Sequence, residues 1–320
     1  MTLLGFVRQA ARPRRLVLAT GWAVAVLSVA VGFVTTPVGG LTDVVSNALQ
    51  GVAAMSAASA GAVLVARVPR HPVGWILFTC GLVGAAGFGA TGLAEYGVIV
   101  APGRIPGVEW LVWISTWSWS PYLIPMVWLL PLLFPTGRLP SPRWRPVAIV
   151  IVLCIIAETV CNALSPFTRT GLPASVVNPI QVTGPGAGVL TIVNLIVLGC
   201  GIVTLPAVAW SVVMRYRRGS PLERQQLKWF VAALGWVVPP LLVGLFLTGT
   251  YSGILDLIAT IAWQAVVLGL ALLPLAIGIA VLRYRLYEID RLISRTIAYG
   301  LLTLLLGSLF VAVILALQAL

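Results

Sequence analysis

The sequence predicts an all-α, polytopic transmembrane helical bundle of about nine spans, built as a single multi-pass domain over residues 1–320. Hydrophobic residues make up 60% of the chain and charged residues only 9%, and the mean hydropathy is +1.05. Apolar runs of about twenty residues, long enough to cross the hydrocarbon core of a bilayer, recur along the whole chain. We therefore expect the lipid bilayer as the main partner and the cell membrane as the location.

Short polar or Pro/Gly-rich connections separate the apolar runs and set the limits of the predicted spans. The second and third runs are rich in small residues, which favours close packing of their helices. Those small residues are Gly51, Ser56, Ser59, Gly61, Gly81, Gly84 and Gly87. The nine predicted spans cover roughly 16–35, 45–66, 73–94, 110–134, 147–165, 187–213, 229–249, 256–282 and 298–318.

The distribution of charge along the chain predicts its orientation. Alternate connections hold all of the 20 basic residues except Arg104 and Arg169. Because cytoplasmic loops carry an excess of Lys and Arg, the N-terminus is predicted in the cytoplasm. Nine spans then leave the C-terminus on the extracytoplasmic side. The connections on that side instead hold the acidic residues Asp43, Glu95, Glu109 and Asp256.

The formal charge of +12 does not indicate nucleic-acid binding, because the arginines lie in short loops between apolar runs. The most basic loop, residues 215–228, suits anionic headgroups or a partner domain, although its charge is also explained by topology alone. The four cysteines lie inside apolar runs without metal-ligand spacing. We expect no nucleic-acid partner, no metal and no cofactor.

One acidic residue, Glu158, falls inside an apolar run. An ionisable side chain at that depth costs about 2.5 kcal/mol or more, so it is expected to face other helices or a wet cavity. Asn162 follows four residues later on the same helix face, and Asn194 lies in the next span. These three residues are candidates for a ligand pocket or a proton site. The alternative is a boundary glutamate with two asparagines that serve helix packing.

Tryptophan is concentrated at the start of the fourth span. Trp110, Trp113 and Trp117 recur at helical spacing and share one face. Interfacial aromatic belts explain much of this pattern. The alternative is that part of the set lines the mouth of the bundle, where aromatic rings suit a lipid-like or cationic ligand.

The segment Arg283–Thr296 combines charge with regular apolar spacing. Leu286 and Ile289 lie on one helix face, while Glu288, Arg291 and Arg295 lie on the opposite face. The pattern predicts a short amphipathic helix at the membrane surface, and a plain basic loop is the alternative. This segment is also a candidate for the helix that couples the membrane spans to a signalling partner. The residues that would carry the coupling are Leu286, Glu288, Ile289, Asp290, Arg291 and Arg295.

Three stretches resemble the membrane-spanning N-terminal region of actinobacterial sensor histidine kinases. They are L-Y-E-I-D-R-L-I-S-R-T-I-A-Y-G-L-L-T at 286–303, P-V-G-W at 72–75, and L-F-P-T-G-R-L-P-S-P-R-W-R-P at 133–146. The resemblance implies a sensory or anchoring module of a two-component signal-transduction system. It also implies a histidine kinase domain or response partner, and a homodimer. In that family the kinase follows the last spans, so a tenth span would have to precede it.

Residues for kinase chemistry are missing from the sequence itself. The single histidine, His71, lies in Arg70-His71-Pro72 and lacks the helical context of a phosphoacceptor. No phosphate-binding glycine loop and no hydrolase motif occurs either. We expect the chain not to be an enzyme. A small transporter or permease-like protein and a membrane scaffold are the alternative functions.

Overall fold

The computed structural model describes residues 3–37, 41–167, 176–247 and 253–285, and within them every regular element is a helix. Two π-helical segments, Tyr96–Val100 and Pro125–Leu129, and one 3₁₀ turn, Pro142–Trp144, join the α-helices. The α-helices are α1 Leu3–Thr35, α2 Leu41–Arg67, α3 Pro72–Glu95, α4 Val108–Trp117, α5 Trp119–Ile124, α6 Leu130–Leu133, α7 Arg145–Leu164, α8 Pro185–Arg218, α9 Pro221–Gly235, α10 Val238–Leu247 and α11 Ile254–Arg285.

In the described part of the chain, seven helical segments are long and apolar enough to cross a membrane. An eighth apolar run, from α4 to α6, is broken at Ser118 and by the π-helical segment Pro125–Leu129. These eight match the first eight predicted spans closely, so the all-α class is confirmed. The ninth predicted span, 298–318, lies outside the described residues. The number of nine is therefore not confirmed.

Helices α2 and α3 approach each other through glycines. A Cβ atom on Gly61 would lie 2.2 Å from the backbone nitrogen of Phe78, and one on Gly81 would lie 2.1 Å from that of Ala58. Only glycine permits backbones to come so close in a membrane interface. The predicted close packing of the second and third spans is confirmed.

Helix α11 packs along α2 and is bound to its neighbours by side-chain hydrogen bonds at three levels. Gln264 donates from Nε2 to the hydroxyl of Ser46. Ser56 donates to the carbonyl of Ala271 at 2.6 Å, and Gln226 of α9 donates to the carbonyl of Ala280 at 2.9 Å. Because apolar contacts alone are not directional, these bonds determine how α11 is rotated and shifted against α2 and α9.

The helices divide the charged residues between two ends of the bundle. Helix α3 runs between these ends and measures about 36 Å, comparable to the thickness of a bilayer. We call one end the cavity end, where α1 and α3 finish and α2 begins. Arg104 is the single basic residue there among the described side chains. We call the other the arginine end; its loops and helix termini hold Arg67, Arg70, Arg138, Arg143, Arg145, Arg215, Arg217, Arg218, Arg224 and Lys228.

Candidate functional site

A polar cavity of about 940 Å³ opens at the cavity end, between the ends of α1, α2 and α3 and the walls of α4, α7 and α8. Ligand pockets in proteins have volumes of about 300–1,000 Å³. Its polar lining consists of Thr36, Asp43, Ser46, Asn47, Gln50, Thr91, Glu95, Ser115, Thr116, Asn162, Ser165 and Asn194. Apolar side chains complete the lining, namely Pro37, Phe88, Ile99, Trp119 and Pro166.

The ionisable side chains in this lining are all acidic. Asp43 lies in the first turn of α2, and Glu95 is the last residue of α3. No lysine, arginine or histidine is among the lining residues of the described chain. The described lining thus presents two carboxylates and no cation, beside partly apolar walls where charges are screened less than in water.

Two of the predicted site residues, Asn162 and Asn194, line this cavity from α7 and α8. Glu158 is not part of the lining. It lies one turn deeper on α7, where Asn162 donates from Nδ2 to Glu158 Oε1 at 3.0 Å and to the Glu158 carbonyl at 2.8 Å. The glutamate thus orients an asparagine that borders the cavity. Oδ1 of Asn194 is buried and has no hydrogen-bond partner among the described atoms.

The three predicted tryptophans form a ladder next to the cavity and do not line it. Trp110 and Trp113 pack edge to face at 5.8 Å between ring centroids, and Trp113 and Trp117 do so at 5.5 Å. Trp113 donates from Nε1 to the carbonyl of Ala163 at 2.8 Å, which ties α4 to the end of α7. The ring that lines the cavity is that of Trp119, which is 42% exposed.

Trp119 points away from the ladder because residues 117 and 119 lie about 200° apart around a helix. Ser118 between α4 and α5 keeps right-handed helical angles, with φ −63° and ψ −24°. The periodicity therefore identified the ladder and missed the tryptophan that faces the cavity.

Another residue that the sequence did not single out, Asn178, supports the cavity wall. Its side chain is 2% exposed and donates to the carbonyls of Ala163 and Ser165 at 2.9 and 2.7 Å. Its Oδ1 accepts from the backbone nitrogen of Ile180 at 3.1 Å. These bonds hold the chain that follows α7 against the helix end and so position Ser165 in the lining.

At the arginine end, Arg215 of α8 binds the loop that follows α6. Its Nη1 donates to the carbonyl of Phe134 at 2.8 Å, and its Nη2 donates to the carbonyls of Leu132 and Arg138. A guanidinium suits this site because its fixed fork of donors satisfies several carbonyls at once. In the described chain no backbone N–H bonds the carbonyls of Leu132, at the end of α6, or of Phe134 and Arg138, so Arg215 stabilises this conformation of the loop.

The same loop also contacts the start of α3. His71 Nε2 lies 3.0 Å from the carbonyl oxygen of Pro135. Gly137 has a positive φ of 75°, and a Cβ atom there would lie 2.8 Å from Cδ of Pro72. The stretches Pro72–Trp75 and Leu133–Pro146, which are far apart in sequence, therefore meet in one junction.

The predicted amphipathic helix, Arg283–Thr296, begins within α11, which ends at Arg285. Its other residues, which include all six candidate coupling residues, lie outside the described residues. Within the described residues, no group of three or more His, Cys, Asp or Glu side chains could hold a metal ion. The four cysteines, Cys80, Cys154, Cys161 and Cys200, are free thiols.

In its described residues the protein is all-helical, with apolar helices that are long enough to cross a membrane and that border an open, polar cavity with two acidic side chains at one end. Comparisons of the chain with protein-family models, with curated proteins and with solved structures found no match.

Proposed function

We propose that this chain is a multi-pass membrane sensory module that has no catalytic activity of its own. In this proposal the N-terminus and the arginine end face the cytoplasm, as the distribution of basic residues predicts. The cavity end then faces the outside of the cell and receives the stimulus. The arginine end passes the response to a histidine kinase domain or a response partner, and the module works as a homodimer.

The observation that carries this proposal is the polar cavity at one end of an otherwise apolar bundle. Polar groups inside a membrane protein are expensive and usually mark a functional site. A scaffold that only holds its helices together needs no open volume of about 940 Å³. A cavity that is lined by side chains from six α-helices and one π-helical segment is a suitable input site, because a bound molecule contacts several helices together.

Two helices that line the cavity also reach the arginine end or the helix that leads to the coupling segment. Helix α3 carries Glu95 at the cavity and begins beside His71, which contacts the loop at Pro135. Helix α2 carries Ser46, which lines the cavity and accepts a hydrogen bond from Gln264 of α11. Signalling requires that a stimulus bias one of two helix arrangements, and these contacts are the route by which a cavity occupant would do so.

The resemblance to sensor kinases agrees with this arrangement. Two of the stretches that carry it form the junction at the arginine end, and the third follows α11. The two described stretches therefore belong to the side that would contact a kinase domain, and the third lies outside the described residues.

Filling the cavity tests the coupling. We expect Thr116→Trp, with the chain in lipid nanodiscs, to change amide hydrogen exchange at residues 134–138 and in the last turn of α11. Val189→Trp is the matched control, because Val189 is a 58% exposed residue of α8 outside the cavity. Identical exchange at the arginine end in both variants would contradict the proposal. Reporter fusions after Gly103 and Arg217 test the orientation separately.

A transporter is the second candidate, because two of the apolar runs are discontinuous. The run from α4 to α6 breaks at Ser118, and the run from α9 to α10 breaks at Trp236 and Val237. Discontinuous helices are common in transporters, where they surround a site near the membrane midplane. The cavity found here lies at one end, which favours the sensor. Uptake of a cavity ligand into proteoliposomes would reverse that preference.

A further inference from the structure

We propose that the polar cavity binds a small organic cation of the alkylammonium class. The proposal rests on the proposed function only in that it takes the cavity as the input site. It deepens that function by naming the chemistry of the ligand, which follows from the charge, the aromatic rings and the acceptors of the lining.

The charge of the lining selects for a cation. Asp43 and Glu95 bring two carboxylates to the walls from different helices, and no basic side chain is among the lining residues of the described chain. Each carboxylate also has an interaction within the protein. Beside apolar walls a carboxylate is weakly screened, and a cation that enters the cavity can share it with the existing partner. An anionic ligand would be repelled by the same carboxylates.

The aromatic side chains favour an organic cation over a simple ion. Trp119 presents a partly exposed indole ring to the cavity, and Phe88 lines it from α3. A cation over the face of such a ring gains about 0.5–1 kcal/mol at exposed sites. Phe88 is itself held by an edge-to-face contact with Phe33 at 5.3 Å between ring centroids. The ring is thus positioned before any ligand arrives.

The neutral polar residues supply further acceptors. Ser115, Thr116 and Ser165 offer hydroxyl oxygens to the cavity. Asn194 lines it as well, and its Oδ1 has no hydrogen-bond partner among the described atoms. A small rotation of that side chain would present the acceptor to an N–H or O–H donor of the ligand.

A bare metal ion fits the same lining poorly. Calcium takes six to eight oxygen ligands at 2.3–2.6 Å, and magnesium demands a near-octahedral set. The described residues contain no cluster of three or more His, Cys, Asp or Glu that could hold a metal. A volume of about 940 Å³ is also far larger than an ion needs. Volumes of this size are typical of sites for organic molecules.

Binding is tested on the full chain in nanodiscs by isothermal titration calorimetry. The probes are choline and benzyltrimethylammonium, each compared with the neutral molecule in which carbon replaces the ammonium nitrogen. We expect at least one cation to bind about tenfold or more tightly than its neutral counterpart. Equal affinity of cation and counterpart for both pairs would overturn the proposal. Tighter binding of Mg²⁺ or Ca²⁺ than of either cation would also overturn it.

Substitutions locate the site. Asp43→Asn and Glu95→Gln should each weaken binding of the cation about tenfold, and Trp119→Leu should weaken it about threefold. Asp256→Asn and Glu109→Gln are the matched controls, since both carboxylates belong to the same side of the predicted topology and are not in the lining. Their affinities should stay within about twofold. Equal losses in the control variants would place the binding outside the cavity.

The ligand class and the sensory function can fail separately. Cation binding without any change in hydrogen exchange at residues 134–138 would leave the ligand proposal standing and contradict the sensor. A change in exchange caused by Thr116→Trp, together with no preference for cations, would leave the sensor standing and contradict the ligand class.

Discussion

At the arginine end Arg215 donates hydrogen bonds to the carbonyls of Leu132, Phe134 and Arg138, whereas at the cavity end Asn162 and Asn194 border an open volume. Both ends place polar groups next to apolar helices. At the arginine end the protein itself satisfies most of them, although Arg215 Nε is buried without a hydrogen-bond partner among the described atoms. At the cavity end part of the polar surface faces open space, so water or a ligand completes the contacts.

This difference has an energetic meaning. Hydrogen bonds to a charged group contribute about 1.5–3 kcal/mol each, and a buried acceptor that loses its donor costs about 1–3 kcal/mol. Polar side chains that face a wet cavity keep solvent as an alternative partner and contribute much less to stability. We therefore expect the arginine end to be the more rigid of the two, and the cavity end to exchange water or a ligand.

The largest effect is expected from removing the guanidinium at the arginine end. Arg215→Leu leaves the carbonyls of the loop without donors and should lower the free energy of unfolding by about 4 kcal/mol. Arg215→Lys should recover only part of this loss, because an ammonium cannot reproduce the fork. Unfolding in mixed micelles measures both values.

Arg218→Leu is the control for this comparison, since it removes an exposed arginine from the same last turn of α8. We expect a change of less than about 0.5 kcal/mol. If Arg215→Leu were as mild as the control, the loop would owe its conformation to other contacts, such as the stacking of Phe134 on Phe230 at 4.7 Å between ring centroids.

The second effect concerns the helix pair that joins the two ends. Gly81→Val places a side chain against the backbone of Ala58 and should cost about 2–3 kcal/mol. Gly188→Val on α8 is the control, because a Cβ atom there meets no neighbour within 4 Å. A comparable loss in the two variants would mean that propensity, and not the close approach of α2 and α3, accounts for the effect.

The third effect tests whether the cavity end has any rigid part. Asn178→Ala removes the donor to the carbonyls of Ala163 and Ser165 and should destabilise the protein by about 1–2 kcal/mol. Asn47→Ala removes an amide that lines the cavity, where water replaces it, and should change stability by less than about 0.5 kcal/mol. Thermal unfolding in detergent distinguishes the two. An equal loss in both variants would contradict the idea of a wet cavity.

Sequence patterns predicted the helices well and the two ends only in part. The third predicted span, 73–94, differs by one residue at each end from α3, because the length of an apolar run directly reflects the membrane. The break at Ser118 was not predicted, although Pro121 lies three residues later and has no backbone N–H to donate to the carbonyl of Trp117. Asn162 and Asn194 were chosen as polar residues inside apolar runs. Such residues can be recognised from the sequence of a single helix, without knowledge of its neighbours.

Arg215 and Asp43 could not be chosen in the same way. Arg215 is one of several arginines in a basic stretch, and its role depends on where the loop after α6 lies in space. Asp43 was assigned only to a connection, and it joins the cavity because the ends of α1, α2 and α3 meet. Such roles depend on tertiary packing between segments that are distant in sequence, and a one-dimensional pattern does not contain that information.

The smallest effect is expected at Glu158, one turn below the cavity lining. Glu158→Gln keeps an oxygen that accepts from Asn162 Nδ2, so stability should change by less than about 0.5 kcal/mol. Glu158→Leu removes this acceptor, but Asn162 retains its bond to the carbonyl of residue 158. It also removes a polar group that is expensive inside a membrane.

The two contributions oppose each other, and Glu158→Leu should therefore stay within about 1 kcal/mol of the unchanged protein. Unfolding in mixed micelles under the conditions used for Arg215→Leu gives the direct contrast between the two ends. A loss for Glu158→Leu that matched the loss for Arg215→Leu would show that the side chains behind the cavity are as rigidly bound as the loop at the arginine end. In that case the cavity would be a fixed polar core, and the contrast between the two ends would fail.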